Sequence, residues 1–212
     1  MISNIVESDM DAGLFDLDGV IIDSENLYTQ FWNGIEEIYP TGIPNFAIAI
    51  KGSTLPEILM LYKTDEIRED VTRRLHYFQD SMEFTLLPGA MEFLTGLRDR
   101  GIPRALVTSS DARKMQCLFR QLPQLRDIFD VIIDASKVTK SKPDPEGYLI
   151  AANELGVAIG KCVVFEDSIN GLNAGRASGA KVVALATTYP AEALTGLADM
   201  IVSGWGEVDV LI

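Results

Sequence analysis

The chain has 212 residues, one large domain or one and a half at roughly 150 residues each. Its 31 acids against 18 bases leave a net charge of −13, and 47% hydrophobic with 23% charged residues is the balance of a globular protein with a sizeable core. No apolar run nears the ~20 residues of a bilayer span, no basic cluster suits nucleic acid, and Cys117 and Cys162 form neither a disulfide framework nor a zinc spacing, reading instead as buried small hydrophobes. Met1 to Met10 is acidic and lacks a signal-peptide apolar region, so the expectation is a cytoplasmic protein without membrane or nucleic-acid partners. Nothing in the sequence suggests an extended self-association surface, and a monomer is expected. The acidity poses a problem, because it repels anionic ligands unless something local reverses the sign.

Ala12 to Phe15 is a short apolar run, predicted as a strand that ends at Asp16. From Asn26 to Phe84 apolar residues recur at helical spacing, as in Leu27, Phe31, Ile35 and Ile38, then Ile67, Val71, Leu75 and Phe78. Trp32 follows the first stripe and fits helix packing better than substrate stacking. Pro88-Gly89 ends that block. Beyond it come a helix over Ala90 to Arg100, a strand over Arg104 to Val107, a helix over Asp111 to Gln121 and a strand over Val131 to Ile133. A helix over Pro145 to Leu155, a strand over Cys162 to Phe165, a helix over Ile169 to Ser178, a strand over Val182 to Leu185 and an edge strand over Met200 to Val202 complete the pattern. Alternating strands and helices predict an α/β fold, a parallel sheet with helices on both faces. The helical block is too long for a simple crossover. It is expected as an inserted cap over 23–86, with the core formed by 1–22 and 87–212.

In an open parallel sheet, ligands bind beyond the carboxyl ends of the strands, and four such ends carry polar residues. Asp16 and Asp18 lie at i and i+2 and point to one side of an extended segment, followed by Gly19. Like charges that close call for a cation or a shared proton, and a hard divalent ion completed by phosphate oxygens answers that need. An acidic turn is the plainer reading. Thr108-Ser109-Ser110-Asp111 offers hydroxyl and amide donors to an anion, or simply a helix N-cap. Ser141-Lys142-Pro143-Asp144-Pro145 fixes a lysine before a helix start, where positive charge opposes the dipole unless an anion joins it. Glu166 and Asp167 follow a buried strand, one more acid than a helix dipole asks for, with Ser168 able to cap the next helix.

These stretches, FDLDGVIIDSE at 15–25, LVTSS at 106–110, SKPDPEGY at 141–148 and VVFEDSINGLNAGRASGA at 163–180, resemble the four motifs of the haloacid dehalogenase superfamily. The chain is most similar to its β-phosphoglucomutase-like phosphatases, whose small helical cap follows the first motif. The resemblance implies a Rossmann-like core and a Mg²⁺-dependent hydrolase of small phosphorylated metabolites such as sugar phosphates. It implies Asp16 as the nucleophile that becomes an aspartyl-phosphate, and Asp18 as general acid and then base, with its backbone carbonyl on Mg²⁺. It further implies Thr108, the Ser109 amide and Lys142 as phosphoryl ligands, Asp167 on the metal, and Glu166 supporting the site directly or through water. Charge neutralisation by one dication and one lysine is what carboxylate attack on a phosphate dianion requires. Asp18 argues against dehalogenation, which needs no acid there.

The family's mutases keep a cap arginine whose place falls on Leu55, and a histidine whose place falls on Tyr28. Losing that guanidinium removes a bidentate phosphate clamp, which ranks a phosphatase above a mutase. Arg73 or Arg74, expected on the third cap helix, is the alternative clamp that keeps the mutase as second reading. A phospho-acceptor signalling domain is third, since Asp18 and a lid serve no receiver. His76, the single histidine, is assigned no role. Substrate choice is expected to rest on Asp23, Ser24, Glu25, Tyr28, Lys51, Gly52 and Arg73, with hinges near Ile22-Asp23 and Leu87-Pro88. Ser24 and Glu25 also read as the cap and first-turn acid of the cap helix. Residues 23–86 carry 11 acids and 5 bases, leaving 20 and 13 elsewhere, so the cap is the more acidic part per residue.

Overall fold

The computed structural model describes residues 10–208, so the reading of Met1 to Met10 lies, apart from Met10, outside the described residues. Six short strands form the centre: β1 (Ala12–Phe15), β2 (Arg104–Val107), β3 (Val131–Ile133), β4 (Cys162–Glu166), β5 (Lys181–Leu185) and β6 (Met200–Val202). They lie in the order β3-β2-β1-β4-β5-β6 with every pairing parallel. Near-continuous apolar strands such as Ala-Gly-Leu-Phe suit a sheet covered on both faces. Phe15 stacks on Phe165 at 4.8 Å between ring centroids and meets Phe93, Phe129 and Trp205 in one core layer. Leu14, Val164 and Tyr148 belong to the layer on the opposite face.

Helices fill the connections in chain order: α1 (Glu25–Ile38), α2 (Phe46–Ala49), α3 (Leu55–Leu59), α4 (Asp65–Ser81), α5 (Ala90–Asp99), α6 (Ala112–Gln121), α7 (Gln124–Ile128), α8 (Glu146–Leu155), α9 (Ile169–Ser178) and α10 (Ala191–Leu194). The four between β1 and α5 enclose a core of their own around Trp32, Ile35, Phe46, Ile58, Val71 and Leu75. The two chain segments joining this insertion to the sheet run side by side. Asp23 donates its N–H to Thr85 O at 2.8 Å, Leu87 donates to Ile21 O at 2.9 Å, and Ile22 bridges to both Asp18 and Leu86.

The short helices α2, α3, α7 and α10, of four or five residues, are too brief to show a helical period in the sequence. The predicted helix from Pro145 starts one residue later, with Pro145 itself at the cap and Asp144 accepting the Glu146 N–H at 3.0 Å. The helix bearing Arg73 is the fourth of the insertion.

Because β1 lies between β2 and β4, its neighbours' connections leave in opposite directions, and a crevice opens at its carboxyl end. The register sets Phe15 level with Leu106 and Phe165, so Asp16, Thr108 and Glu166 emerge around that crevice.

Candidate active site

Lys142 occupies the centre. Its buried ammonium donates to Asp16 Oδ1 at 2.6 Å, Glu166 Oε1 at 2.6 Å and Val107 O at 3.1 Å, which uses all three N–H groups. Burial alone would lower its pKa, but the Asp16 and Glu166 carboxylates outweigh burial and hold it well above the usual value. The lysine expected to stand against a helix dipole is thus held by two acids, with a cis peptide joining it to Pro143.

Asp16, Glu166 and Asp167 place carboxylate oxygens within 4.8 Å of one another, all buried. Three acids face one ammonium, and the imbalance appears in their proton affinity. Burial, with Glu166 and Asp18 adding to it and Lys142 opposing, pushes Asp16 up to about 7. Burial together with the Glu166 and Asp16 charges raises Asp167 well above the carboxylate range. A cluster of hard oxygen donors one cation short fits a divalent ion such as Mg²⁺. Glu166 is the least free of the three. Its Oε1 accepts from Lys142 and Tyr148, and its Oε2 accepts from the Asp167 and Ser168 amides and the Ser168 hydroxyl. Asp167 accepts from Thr188, leaving it and Asp16 the better placed to ligate. Two glycines make room. A Cβ on Gly171 would fall 1.7 Å from Glu166 Oε1, and one on Gly19 (φ +72°) would fall 2.0 Å from Asp167 Oδ2.

The Asp18 side chain turns away from this cluster. Lys114 Nζ reaches both its oxygens at 2.5 Å, Ser110 Oγ donates at 3.2 Å, and the Ser24 hydroxyl donates from the cap. Burial pushes the Asp18 carboxyl up, yet the Lys114 charge and these hydrogen bonds outweigh it and leave the pKa below the usual value. Only the backbone of Asp18, then, is left for the metal role expected of it. Thr108 Oγ1 accepts the Ser110 N–H at 3.1 Å, and Asp111 caps α6 through the Lys114 N–H. Ser109 Oγ donates to Gly52 O at 2.7 Å, tying the cap to the core. Ser168 caps α9, and both cysteines are buried and free.

The cap closes over these groups, and the cleft between holds about 120 Å³. Tyr28, Lys51, Gly52 and Glu25 line it as expected; Trp32 does so too while packing on Phe31 and Phe46. Glu25 pairs with Lys51, and the Lys51 carbonyl accepts from Asn170 at 2.8 Å. Three expectations change. Ser24 occupies the α1 cap position without capping, because its hydroxyl goes to Asp18. Asp23 is exposed outside the cleft, its amide spent on Thr85. Arg73 also stands outside, pairing with Asp70 alongside Arg74. The reason is angular: α4 buries Val71, Leu75 and Gln79, and Arg73 lies about 200° around from Val71.

Lys114, Gln79, Thr188 and Tyr148 are site residues that the sequence reasoning missed. A signal for Lys114 existed, since it falls on the same buried stripe of α6 as Met115 and Leu118, where a cation needs a partner. Tyr148 closes the SKPDPEGY stretch, which was its signal, whereas Thr188 carries no local mark and only tertiary contact brings it to Asp167.

A family profile described as haloacid dehalogenase-like hydrolase matches residues 10–179. The phosphorylated carbohydrates phosphatase of Thermotoga maritima is 32% identical over 184 residues, 80% of this chain and 82% of that protein. Hexitol phosphatase A of Escherichia coli is 32% identical over 179 residues, 81% of each. The crystal structure of CbbY from Rhodobacter sphaeroides in complex with phosphate aligns with a TM-score of 0.73 at 25% identity, covering 93% of this chain and 96% of that one.

Proposed function

The chain belongs to the haloacid dehalogenase-like hydrolases and is a phosphoric monoester hydrolase; we propose that it removes phosphate from small phosphorylated carbohydrates through an aspartyl-phosphate on Asp16. The observation that carries this reading is the placement of Asp16 at the end of the central strand, 2.6 Å from Lys142 and beside Glu166 and Asp167.

In the first half-reaction, Asp16 attacks phosphorus in line, an O–P bond forms, and the ester P–O bond breaks. Asp18, which must first take up a proton against the Lys114 ammonium that holds its pKa down, gives that proton to the departing oxygen. In the second, Asp18 takes a proton from water, the water oxygen attacks phosphorus, and Asp16 is released with inorganic phosphate. Lys142, the Thr108 hydroxyl and the Ser109 amide would hold the phosphoryl oxygens. Asp16, Asp167 and the Asp18 backbone would hold Mg²⁺, with Glu166 fixing the frame around them. When bound, the ion supplies positive charge that offsets repulsion between carboxylate and phosphate. Ser24 couples Asp18 to the cap, which supports assembly of the acid–base group on closure.

The test is phosphate release from a panel of several dozen phosphometabolites, with and without Mg²⁺, for the native protein and Asp16→Asn. Asp16→Asn should lose all Mg²⁺-dependent release; full retention would refute the mechanism. Accumulation of glucose 6-phosphate from β-glucose 1-phosphate with trace bisphosphate would favour the mutase, for which neither Arg73 nor Arg74 offers a clamp in the cleft.

A further inference from the structure

The acids, hydroxyl and lysine of the site leave four strand ends, and the chain leaving a fifth, β5, reaches the same crevice. Its residues Thr187, Thr188 and Tyr189 each touch a different part of the site. Thr187 Oγ1 donates to Gly19 O at 2.5 Å, Thr188 Oγ1 donates to Asp167 Oδ2, and Tyr189 Oη donates to Ile48 O on α2 at 3.4 Å. Thr188 is therefore flanked by one residue tied to the turn after Asp18 and another tied to the cap. Being β-branched it is also stiff at χ1, so its hydroxyl is aimed in advance.

The three clustered acids are held unequally. Glu166 accepts from Lys142, Tyr148, two amides and a hydroxyl, and Asp16 accepts from Lys142. Asp167 is only 1% exposed, yet among the described residues Thr188 is the one hydrogen-bond donor to its carboxylate. Crowding fixes which oxygen is engaged. A Cβ on Gly19 would fall 2.0 Å from Asp167 Oδ2 and 2.9 Å from Thr188 Oγ1, so Oδ2 is enclosed by the hydroxyl and the Gly19 backbone. Oδ1 is the oxygen left for a cation. Mg²⁺ demands near-ideal octahedral geometry, whereas Ca²⁺ takes about 6–8 oxygens in a flexible shell and binds carboxylates through one oxygen or both. A carboxylate with one oxygen engaged offers a single oriented ligand atom, which suits the stricter ion.

We propose that Thr188 is a positioning residue: by engaging Asp167 Oδ2 it presents one oxygen to the cation, and so sets both the affinity for Mg²⁺ and the preference for Mg²⁺ over Ca²⁺. It acts through Asp167 and not on the substrate. The proposal rests on the metal site of the phosphatase reading and names a residue that tunes it.

The experiment is a thermal melt of the EDTA-treated protein, titrated with MgCl₂ or CaCl₂ without substrate to give a Kd for each ion. Thr188→Val keeps the side-chain shape and removes the hydroxyl, whereas Thr188→Ser keeps the hydroxyl. Thr188→Val should weaken Mg²⁺ binding by about 10-fold or more, the scale for losing a partner of a metal ligand. Ca²⁺ can use both freed oxygens and should lose much less, so the preference between the ions narrows by about the same factor. Thr188→Ser should keep the native preference within about twofold. A purely structural role would lower the melt in EDTA and leave the preference alone. An unchanged preference in Thr188→Val, or an equal loss in Thr188→Ser, would overturn the proposal. Should the valine variant not fold, Thr188→Ala removes the same hydroxyl and is read by the same outcomes. A native melt that neither ion moves would overturn the metal site of the phosphatase reading, and the proposal with it.

Discussion

A Lys114→Met substitution would leave the Asp18 carboxylate buried beside Asp16, with two hydroxyl donors and no ammonium. The side chains of Lys114 and Asp18 are only 4% and 17% exposed, so water does little to replace the lost partner. Breaking such a pair from one side costs about 3–5 kcal/mol, and the loss of the Tyr28 ring contact adds a smaller amount. For a chain of this length each kcal/mol moves the melting temperature by about 2–4 °C, so a fall of roughly 6–20 °C is expected. The assay is thermal unfolding followed by circular dichroism in EDTA, with Asp18→Asn and the double variant completing a cycle. The double variant should be more stable than the sum of the singles by about 2–3 kcal/mol, because the second change removes the stranded charge. Asp18 has its folded pKa below the unfolded value, so the contribution of the pair is present above about pH 4 and is lost as pH falls through the folded pKa. The gap between native and variant should narrow accordingly in acid. A variant melting within about 2 °C of native, or an additive cycle, would refute a stabilising Lys114–Asp18 pair.

The metal-free acids predict the opposite pH trend. With Asp16 raised to about 7, the folded protein holds a proton that the unfolded chain releases above the usual 3.8, so stability in EDTA falls as pH rises between those values, on the order of 1 kcal/mol per unit. Mg²⁺ competes with those protons, so its stabilising shift in a thermal melt should be larger at pH 8 than at pH 5; equal shifts would contradict the proposed metal site. Gly171→Ala should abolish phosphate release and destabilise the fold, since a Cβ there overlaps Glu166, whereas Gly34→Ala meets nothing within 4 Å in mid-α1 and should add about 0.5–1 kcal/mol by urea titration. Arg73→Ala, on the exposed side of α4, should change kcat/KM by no more than about twofold.

Much of the core was legible because each strand end carries its own local mark. Asp16, Thr108, Lys142 and Glu166 each follow a short apolar run or precede a helix start, and the parallel register then brings them together. The cap was legible only as helical stripes. Which face of α4 looks inward depends on how it packs on α1, so helical spacing alone does not tell that Gln79 lines the cleft and Arg73 stands outside it. Ser24 shows the same limit, since a serine before a helix has the appearance of a cap whatever its hydroxyl meets. Lys114 failed for another reason. A lysine on an amphipathic helix is ordinarily solvated, and its partner lies 96 positions away in sequence.

The paired tether between cap and core carries a mechanical consequence. One of its two segments begins at Asp18: Gly19 donates to Ile22 O at 2.8 Å, Ile22 bridges to Leu86, and Ser24 two residues later reaches back to the Asp18 carboxylate. A swing of the helical insertion would not be absorbed by a slack linker, because the tether and the Asp18 side chain share the same short, hydrogen-bonded run of chain from Asp18 to Ser24. If Asp18 is the proton donor proposed above, lid angle and acid–base geometry would be one degree of freedom, and the donor would be brought to bear only with the lid down over substrate.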